Sequence, residues 1–188
     1  MTDSSWLEEY FRPYRSFLED TEVFLQLVQA RDLILSVKSR GAKLMLAGNG
    51  ASASIASHLA VDFTKQAGVV AMSFNEPNLI TAYSNDYGYD RWLVQALRHY
   101  AQPGDAVVLI SSSGKSPNIV QAAEYARDAG LSMITLSGFA SDNPLRSIGD
   151  VNLWVESRAY NHVECIHMIW LTAICDLIIG KAEYPVNG

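Results

Sequence analysis

Short apolar segments alternate with longer segments of helical periodicity through most of the chain. Five apolar segments are predicted strands, at residues 43–47, 69–74, 105–110, 133–136 and 151–155. Such runs of Val, Leu and Ile are typical of strands buried on both faces of a parallel sheet. Helical spacing predicts helices at 52–66, 90–101, 117–129 and 161–179, with short ones ending near residue 83 and at 144–148. The alternation predicts an α/β fold: three layers around a doubly wound sheet of five parallel strands.

The first forty residues are helical in pattern and rich in aromatic side chains. We expect Pro13 to interrupt this pattern, and the remainder to form one amphipathic helix or two helices broken near Ala30. The apolar surface exceeds what one sheet face needs, which favours packing against a second subunit; a helix that simply caps the core is the alternative. We therefore divide the chain into N-terminal oligomerisation helices at 1–40 and a catalytic or binding domain at 41–188.

Two polar loops follow predicted strands and precede predicted helices. Residues 111–116 read SSSGKS before Pro117, and residues 48–54 read GNGASAS after the first strand. A helix N-terminus that follows such a loop presents unpaired N–H groups and the positive end of the helix dipole, and both favour a phosphate group. Serine and glycine are also ordinary loop residues, and Ser116 alone could be a helix cap. Both loops are predicted at the carboxyl edge of the sheet, which favours the phosphate interpretation.

Composition excludes several classes of function. The net charge of −6 without a basic run argues against direct nucleic-acid binding. We find no targeting signal and no apolar run of about 18 residues that could span a membrane. Cys165 and Cys175 are predicted too far apart on one helix to form a disulfide, which fits a reducing, cytoplasmic compartment. No acidic residue ends the second strand, where a dinucleotide's ribose would be held, so no nucleotide is expected.

Five motifs together resemble a known family. Residues 48–52 (GNGAS), 111–118 (SSSGKSPN) and 136–138 (LSG) resemble the sugar isomerase (SIS) domain. Residues 85–89 (NDYGY) and 164–167 (ECIH) are similar to its phosphoheptose isomerase branch, which includes a noncatalytic relative that binds a replication initiator. The resemblance implies a flavodoxin-like sheet, a homotetramer, and sites at subunit interfaces that hold a sugar phosphate.

The resemblance also implies a substrate-binding set drawn from these motifs. Its members are Asn49, Gly50, Ser52, Asp86, Ser111, Ser112, Ser113 and Ser116. The phosphate is expected on the hydroxyls of Ser111, Ser113, Ser116 and Ser52, and the sugar beside Asn49 and Asp86. Lys115 replaces an asparagine that is usual in the family; it either strengthens phosphate binding or points to solvent.

The catalytic residues depart from the family pattern. Aldose–ketose isomerisation moves a proton between C1 and C2 and needs an acid–base pair. The resemblance implies a glutamate on the first-loop helix and a histidine on the last helix, but Asp62 and Thr172 occupy these positions. A base displaced by about 1 Å can lose about a hundredfold in rate. The predicted catalytic residues are therefore Asp62, Glu164 and His58.

These three residues could also hold Zn²⁺ or another divalent metal that polarises a sugar carbonyl. The alternative is a surface hydrogen bond between His58 and Asp62, with Glu164 capping the last helix. His162 and His167 are candidates for sugar contacts, although His167 could equally be a core residue, and His99 is predicted to face solvent without a role.

Two functional hypotheses remain open. The first is an isomerase of a phosphorylated sugar such as sedoheptulose 7-phosphate. The second is a noncatalytic protein that binds a sugar phosphate as a signal or binds a protein partner through its tetramer.

Overall fold

Five parallel strands form a single sheet in the computed structural model, which describes residues 2–184. The strands β1 to β5 span Leu44–Gly48, Ala71–Ser73, Ala106–Ser111, Ser132–Ser137 and Val151–Trp154. Their spatial order is β2-β1-β3-β4-β5, and every neighbouring pair is parallel. The predicted doubly wound sheet is confirmed. The strand order reverses between β1 and β3, and this is where ligands bind in open sheets of this kind.

The α-helices of the described residues cover both faces of this sheet. Helices α1 to α7 span Asp3–Glu19, Thr21–Ser39, Ala51–Lys65, Pro77–Tyr87, Trp92–Tyr100, Pro117–Asp128 and Tyr160–Ile179, and a short 3₁₀ helix spans Pro144–Ser147. Most predicted bounds hold within two residues. Helix α4 is longer than predicted, because it continues to Tyr87 and does not end near residue 83.

The N-terminal helices differ from the prediction in where they break. Pro13 lies inside α1 and does not end it. The break lies at Asp20, whose carboxylate accepts a hydrogen bond of 2.9 Å from the N–H of Glu22 and caps α2. Ala30, where one of the two alternatives placed a break, is fully buried in the middle of α2, so the alternative of one continuous helix holds there. Tertiary burial of one face keeps α2 continuous, which the local pattern did not show.

The sheet separates two apolar layers. Alternate residues of each strand point to opposite faces, so Leu44 and Leu46 join the layer under α2, α3 and α7, while Met45 and Ala47 join the other layer. Five side chains of α2 are buried, whereas none of α1 is. Helix α2 is therefore part of the core of the sheet domain.

Helix α7 is long and apolar enough to cross a membrane by length and composition, with a mean hydropathy of 1.6 over its best 18 residues. The expectation that no segment reaches this length is wrong. The apolar residues of α7 are explained by packing against α2 and α3, since seven of its side chains are buried, including Ile166, Leu171 and Ile174. Cys165 and Cys175 lie on this one helix and are both free thiols, as predicted.

Candidate functional site

Two loops meet at the carboxyl ends of the neighbouring strands β1 and β3. The first loop runs from Gly48 into α3, and the second, residues 111–116, runs into α6; we call the second the serine loop. Neither helix has a side-chain cap at its N-terminus, where Gly50 and Ser116 are the capping residues. Two uncapped helix ends thus present N–H groups and positive dipole ends at the point where the strand order reverses. This arrangement suits an anion.

Glycine is required twice in the first loop. A Cβ at Gly48 would lie 2.6 Å from the backbone carbon of Ser52, so only glycine lets the strand approach the start of α3. Gly50 has a φ of 55°, in the left-handed region that glycine adopts without strain. These two residues fix the tight turn that brings the N-terminus of α3 to the edge of the sheet.

An amide pair joins the two loops. Asn49 Nδ2 donates to Asn118 Oδ1 and Asn118 Nδ2 donates to Asn49 Oδ1, both at 2.9 Å. Asn118, in the first turn of α6, is 1% exposed, and Tyr89 donates from its hydroxyl to Asn49 Oδ1 at 3.2 Å. Sequence reasoning predicted Asn49 but gave no role to Asn118 or Tyr89. The motifs contain both residues, but the pairing across 69 positions is visible only in the fold.

Tyr89 also borders an open cavity of about 760 Å³. The cavity is lined by Tyr87, Gly88, Tyr89, Asp90, Arg91, Gln121 and Glu124. Its size lies within the range usual for small-molecule sites.

The serine hydroxyls lie together in the serine loop. Ser111 Oγ and Ser116 Oγ are 3.0 Å apart and share a hydrogen bond. Ser113 Oγ accepts a hydrogen bond of 3.2 Å from the Lys115 N–H, which leaves the hydroxyl proton of Ser113 available to donate. The Lys115 side chain is exposed. Ser52 is buried at the start of α3 in the first loop.

Two predicted site residues, Asp86 and Glu164, lie outside the two loops. Asp86 is exposed in the last turn of α4, where it accepts a hydrogen bond of 3.0 Å from Asn85 Nδ2. Glu164 lies in α7, and its Oε1 is 3.5 Å from the hydroxyl of Ser112. Glu164 does not cap α7, because Ala159 is the capping residue. It is therefore a carboxylate that contacts the serine loop.

The other predicted catalytic residues lie elsewhere on α3. His58 Nε2 and Asp62 Oδ2 are 3.2 Å apart, with side chains 56% and 25% exposed. Asp62 follows Ala51 by eleven positions, which corresponds to about 16 Å along a helix. Its charge contributes to raising the pKa of the Cys175 thiol to about 12, after burial as the main cause. Asp62 thus lies near the C-terminal half of α7, away from Glu164.

The predicted metal set is consequently not assembled within one chain. Among the described residues, no group of three or more His, Cys, Asp or Glu side chains could hold a metal ion. His58 and Asp62 adjoin each other, as the surface hydrogen-bond alternative expected, while Glu164 is apart from them. Zinc binding stays a prediction, tested by elemental analysis of the purified protein.

The histidines of α7 do not face the loops. His167 is fully buried, and its Nε2 lies 3.1 Å from the Ser137 carbonyl oxygen. Burial lowers the pKa of His167 to about 4, so it is a neutral core residue at pH 7. His162 packs between the rings of Tyr10 and Tyr14, with centroids 4.8 and 4.9 Å away.

His99 and Thr172 are the remaining residues that the sequence analysis singled out. His99 is exposed, as predicted, and its Nδ1 forms a hydrogen bond of 2.7 Å with the Tyr83 hydroxyl. Thr172, at the position where the resemblance implies a histidine, donates from its hydroxyl to the Met168 carbonyl at 2.8 Å.

Comparison with known proteins identifies similar chains. A family model described as "SIS domain" matches residues 9–138. A phosphoheptose isomerase of Crocosphaera subtropica is 35% identical over 145 residues, covering 73% of each chain. One from Fusobacterium nucleatum is 29% identical and covers 94% of this chain and 93% of its own. The solved structure of the phosphoheptose isomerase from Neisseria gonorrhoeae superimposes with a TM-score of 0.83 at 27% identity, covering 94% of this chain and 99% of that one.

Proposed function

The chain belongs to the SIS domain family, within the branch of the phosphoheptose isomerases, and on this premise we propose that it is a sugar-phosphate isomerase. The proposed reaction is the ketose–aldose isomerisation of a phosphorylated sugar such as sedoheptulose 7-phosphate. The observation that carries the proposal is the pairing of two uncapped helix N-termini with the serine loop at the switch point of the sheet.

The phosphate is proposed to bind between the serine loop and the N-termini of α3 and α6. Ser113 donates its hydroxyl proton, and Ser111, Ser116 and Ser52 supply further donors. Gly50 contributes its backbone at the first loop, while Asn49 is oriented toward the sugar by Asn118. The phosphate anchors one end of the substrate, so that the carbonyl end reaches the proton-transfer groups.

Glu164 is proposed as the base that moves the proton between C1 and C2, since it contacts the serine loop through Ser112. His58 and Asp62 are proposed as the second proton-transfer pair. Because Asp62 is about 16 Å along α3 from the helix start, this pair reaches a substrate most directly in the site of a neighbouring subunit. The resulting oligomer is the homotetramer that the resemblance implies.

Exposed apolar residues support this assembly. Trp6 and Phe11 of α1 are 53% and 57% exposed, and Leu25 of α2 is 68% exposed. Large apolar side chains at this exposure on two consecutive helices favour burial against another subunit. Sedimentation of wild type and a Leu25→Lys variant tests the assembly: a smaller species is expected for the variant. We propose a cytoplasmic location, which the two free thiols fit.

A second candidate function is the noncatalytic binding of a sugar phosphate. It is favoured by the lack of an available acid–base group at two positions of α7. His167 is buried and neutral, and Thr172, where the resemblance implies a histidine, bonds to the helix backbone. In this case the site senses its ligand without turning it over.

Turnover of sedoheptulose 7-phosphate in a coupled assay separates the two candidates. We expect wild-type turnover, with at least about a tenfold loss of kcat in Glu164→Gln and in Asp62→Asn. Asp128→Asn is the matched control, because Asp128 is exposed and, among residues 2–184, its side chain pairs only with the adjacent Arg127. Wild-type turnover no higher than that of Asp62→Asn would overturn the isomerase and favour the binding protein.

Binding of the same ligand is measured separately. Ser113→Ala is expected to weaken equilibrium binding of the sugar phosphate by about tenfold, as the loss of a hydrogen bond to a charged group implies. Ser39→Ala is the control, since Ser39 is exposed at the end of α2 and its hydroxyl, within the described part of the chain, bonds only to the Ser36 carbonyl. An unchanged affinity in Ser113→Ala would contradict the placement of the phosphate.

A further inference from the structure

A buried asparagine lies behind the serine loop, on a different segment of the chain. Asn143 is 2% exposed and immediately precedes the 3₁₀ helix that follows β4. Its Nδ2 lies within hydrogen-bond distance of three oxygens: the Ala140 carbonyl at 2.8 Å, the Gly138 carbonyl at 3.1 Å and the Ser137 hydroxyl at 3.2 Å. Its Oδ1 accepts from the Arg146 N–H at 3.0 Å. The side chain is thus held in one orientation from both ends.

This side chain is packed directly against the turn of the serine loop. A Cβ built on Gly114 would lie 1.9 Å from Asn143 Oδ1 and 2.2 Å from its Cγ, so the Gly114 backbone rests on the amide. Gly114 has a φ of 65°, in the left-handed region. The Leu145 N–H also donates to the Gly114 carbonyl at 3.3 Å. The segment around Asn143 therefore fixes both the position and the conformation of the residue that follows Ser113.

A second contact reaches the loop through Gly138. The carbonyl of Gly138 bonds to Asn143, and a Cβ on Gly138 would lie 3.1 Å from the Ser112 carbonyl oxygen. Asn143 thus supports the backbone of the serine loop on both sides of Ser113. Hydroxyl donors 1 Å out of place lose much of their hydrogen-bond energy, because the bond weakens steeply with distance and angle.

We propose that Asn143 is a positioning residue for ligand binding: it holds the serine loop in the conformation in which the hydroxyl of Ser113 and its neighbours bind the phosphate. The inference rests on the proposed phosphate site. It assigns a role to a segment outside the motifs that predicted the site, and it accounts for glycine at position 114, where a Cβ would clash with the Asn143 amide.

The test measures two quantities for each variant: the affinity of the folded protein for a sugar phosphate, and the melting temperature of the protein. Asn143→Ala is expected to bind sedoheptulose 7-phosphate about tenfold more weakly than wild type by calorimetry, well below its melting temperature. Thr135→Val is the matched control: it removes a half-buried hydrogen bond of 2.7 Å to Asn152 in the same sheet, and neither residue belongs to the serine loop or bonds to Asn143 through its side chain. This control is expected to melt at a lower temperature while binding like wild type.

A double-mutant cycle with Gly114→Ala shows whether the contact is direct. Gly114→Ala should weaken binding in wild type, and should weaken it by a smaller factor in the Asn143→Ala background, where its methyl group has room. If Asn143→Ala does not fold, Asn143→Ser takes its place in the cycle. Serine keeps a hydrogen-bond donor for the carbonyls and still removes the contact with Gly114. Wild-type affinity in the Asn143 variants, or strictly additive losses, would overturn the inference. Absence of binding by wild type would instead overturn the proposed function.

Discussion

Removing the Asn118 amide is the sharpest perturbation of the link between the two loops. In Asn118→Ala, the reciprocal pair with Asn49 is lost, and with it both hydrogen bonds of 2.9 Å. The substitution leaves the backbone of α6 intact, since alanine is the best helix former. Among residues 2–184, no other side-chain hydrogen bond joins these two segments.

The cost follows from the burial of the two partners. A neutral hydrogen bond contributes about 0.5–1.5 kcal/mol net, so two contribute about 1–3 kcal/mol. Asn118 is 1% exposed, but Asn49 is only half-buried and can bond to water once its partner is removed. We therefore expect a loss of about 2 kcal/mol, which lowers the melting temperature by about 4–8 °C in a chain of this length.

Urea unfolding of Asn49→Ala, Asn118→Ala and the double variant measures this coupling. The sum of the two single losses in the free energy of unfolding should exceed the loss in the double variant by about 1–2 kcal/mol, as expected for residues in contact. Asn78→Ala is the control, because its amide bonds to Glu76 in an exposed position and its removal should cost less than about 0.5 kcal/mol. A coupling energy within about 0.3 kcal/mol of zero would refute the argument that the amide pair joins the loops.

Two further predictions concern buried polar groups. The pKa of His167 is about 4 in the folded chain and near 6.5 when unfolded, so the unfolded state binds the extra proton and stability falls as pH drops through this window. Between pH 7 and 5, wild type should lose about 2 kcal/mol more than His167→Gln in urea unfolding; parallel profiles would contradict this. Asp105 is 3% exposed and accepts hydrogen bonds from the N–H groups of Lys43 and Gln102 and from the Lys43 ammonium. Asp105→Ala should cost about 3 kcal/mol in thermal unfolding, because it removes three hydrogen bonds to one buried carboxylate, each worth about 1 kcal/mol; a loss below about 1 kcal/mol would refute it.

The predicted elements succeeded where the local pattern is strong and failed where burial decides. Strands β3 and β4 are rich in buried apolar residues, and their bounds were predicted within one residue. The break between α1 and α2 was misplaced, because Pro13 is tolerated inside a helix that has no buried residue, while Ala30 lies at the centre of a buried face. Whether a side chain packs against the sheet depends on tertiary packing, which the local sequence pattern does not show.

The sequence by itself determined the α/β class, the two loops that suit a phosphate, and the family, because glycine turns, strand runs and helix starts are local features of the backbone. Only the tertiary structure decided which side chains meet. Asn49 pairs with Asn118 and Asn143 packs on Gly114, while His58 and Asp62 are parted from Glu164. The physical reason is that these distances are set by how strands and helices stack across the sheet, and residues distant in sequence acquire their spacing only when the core is formed.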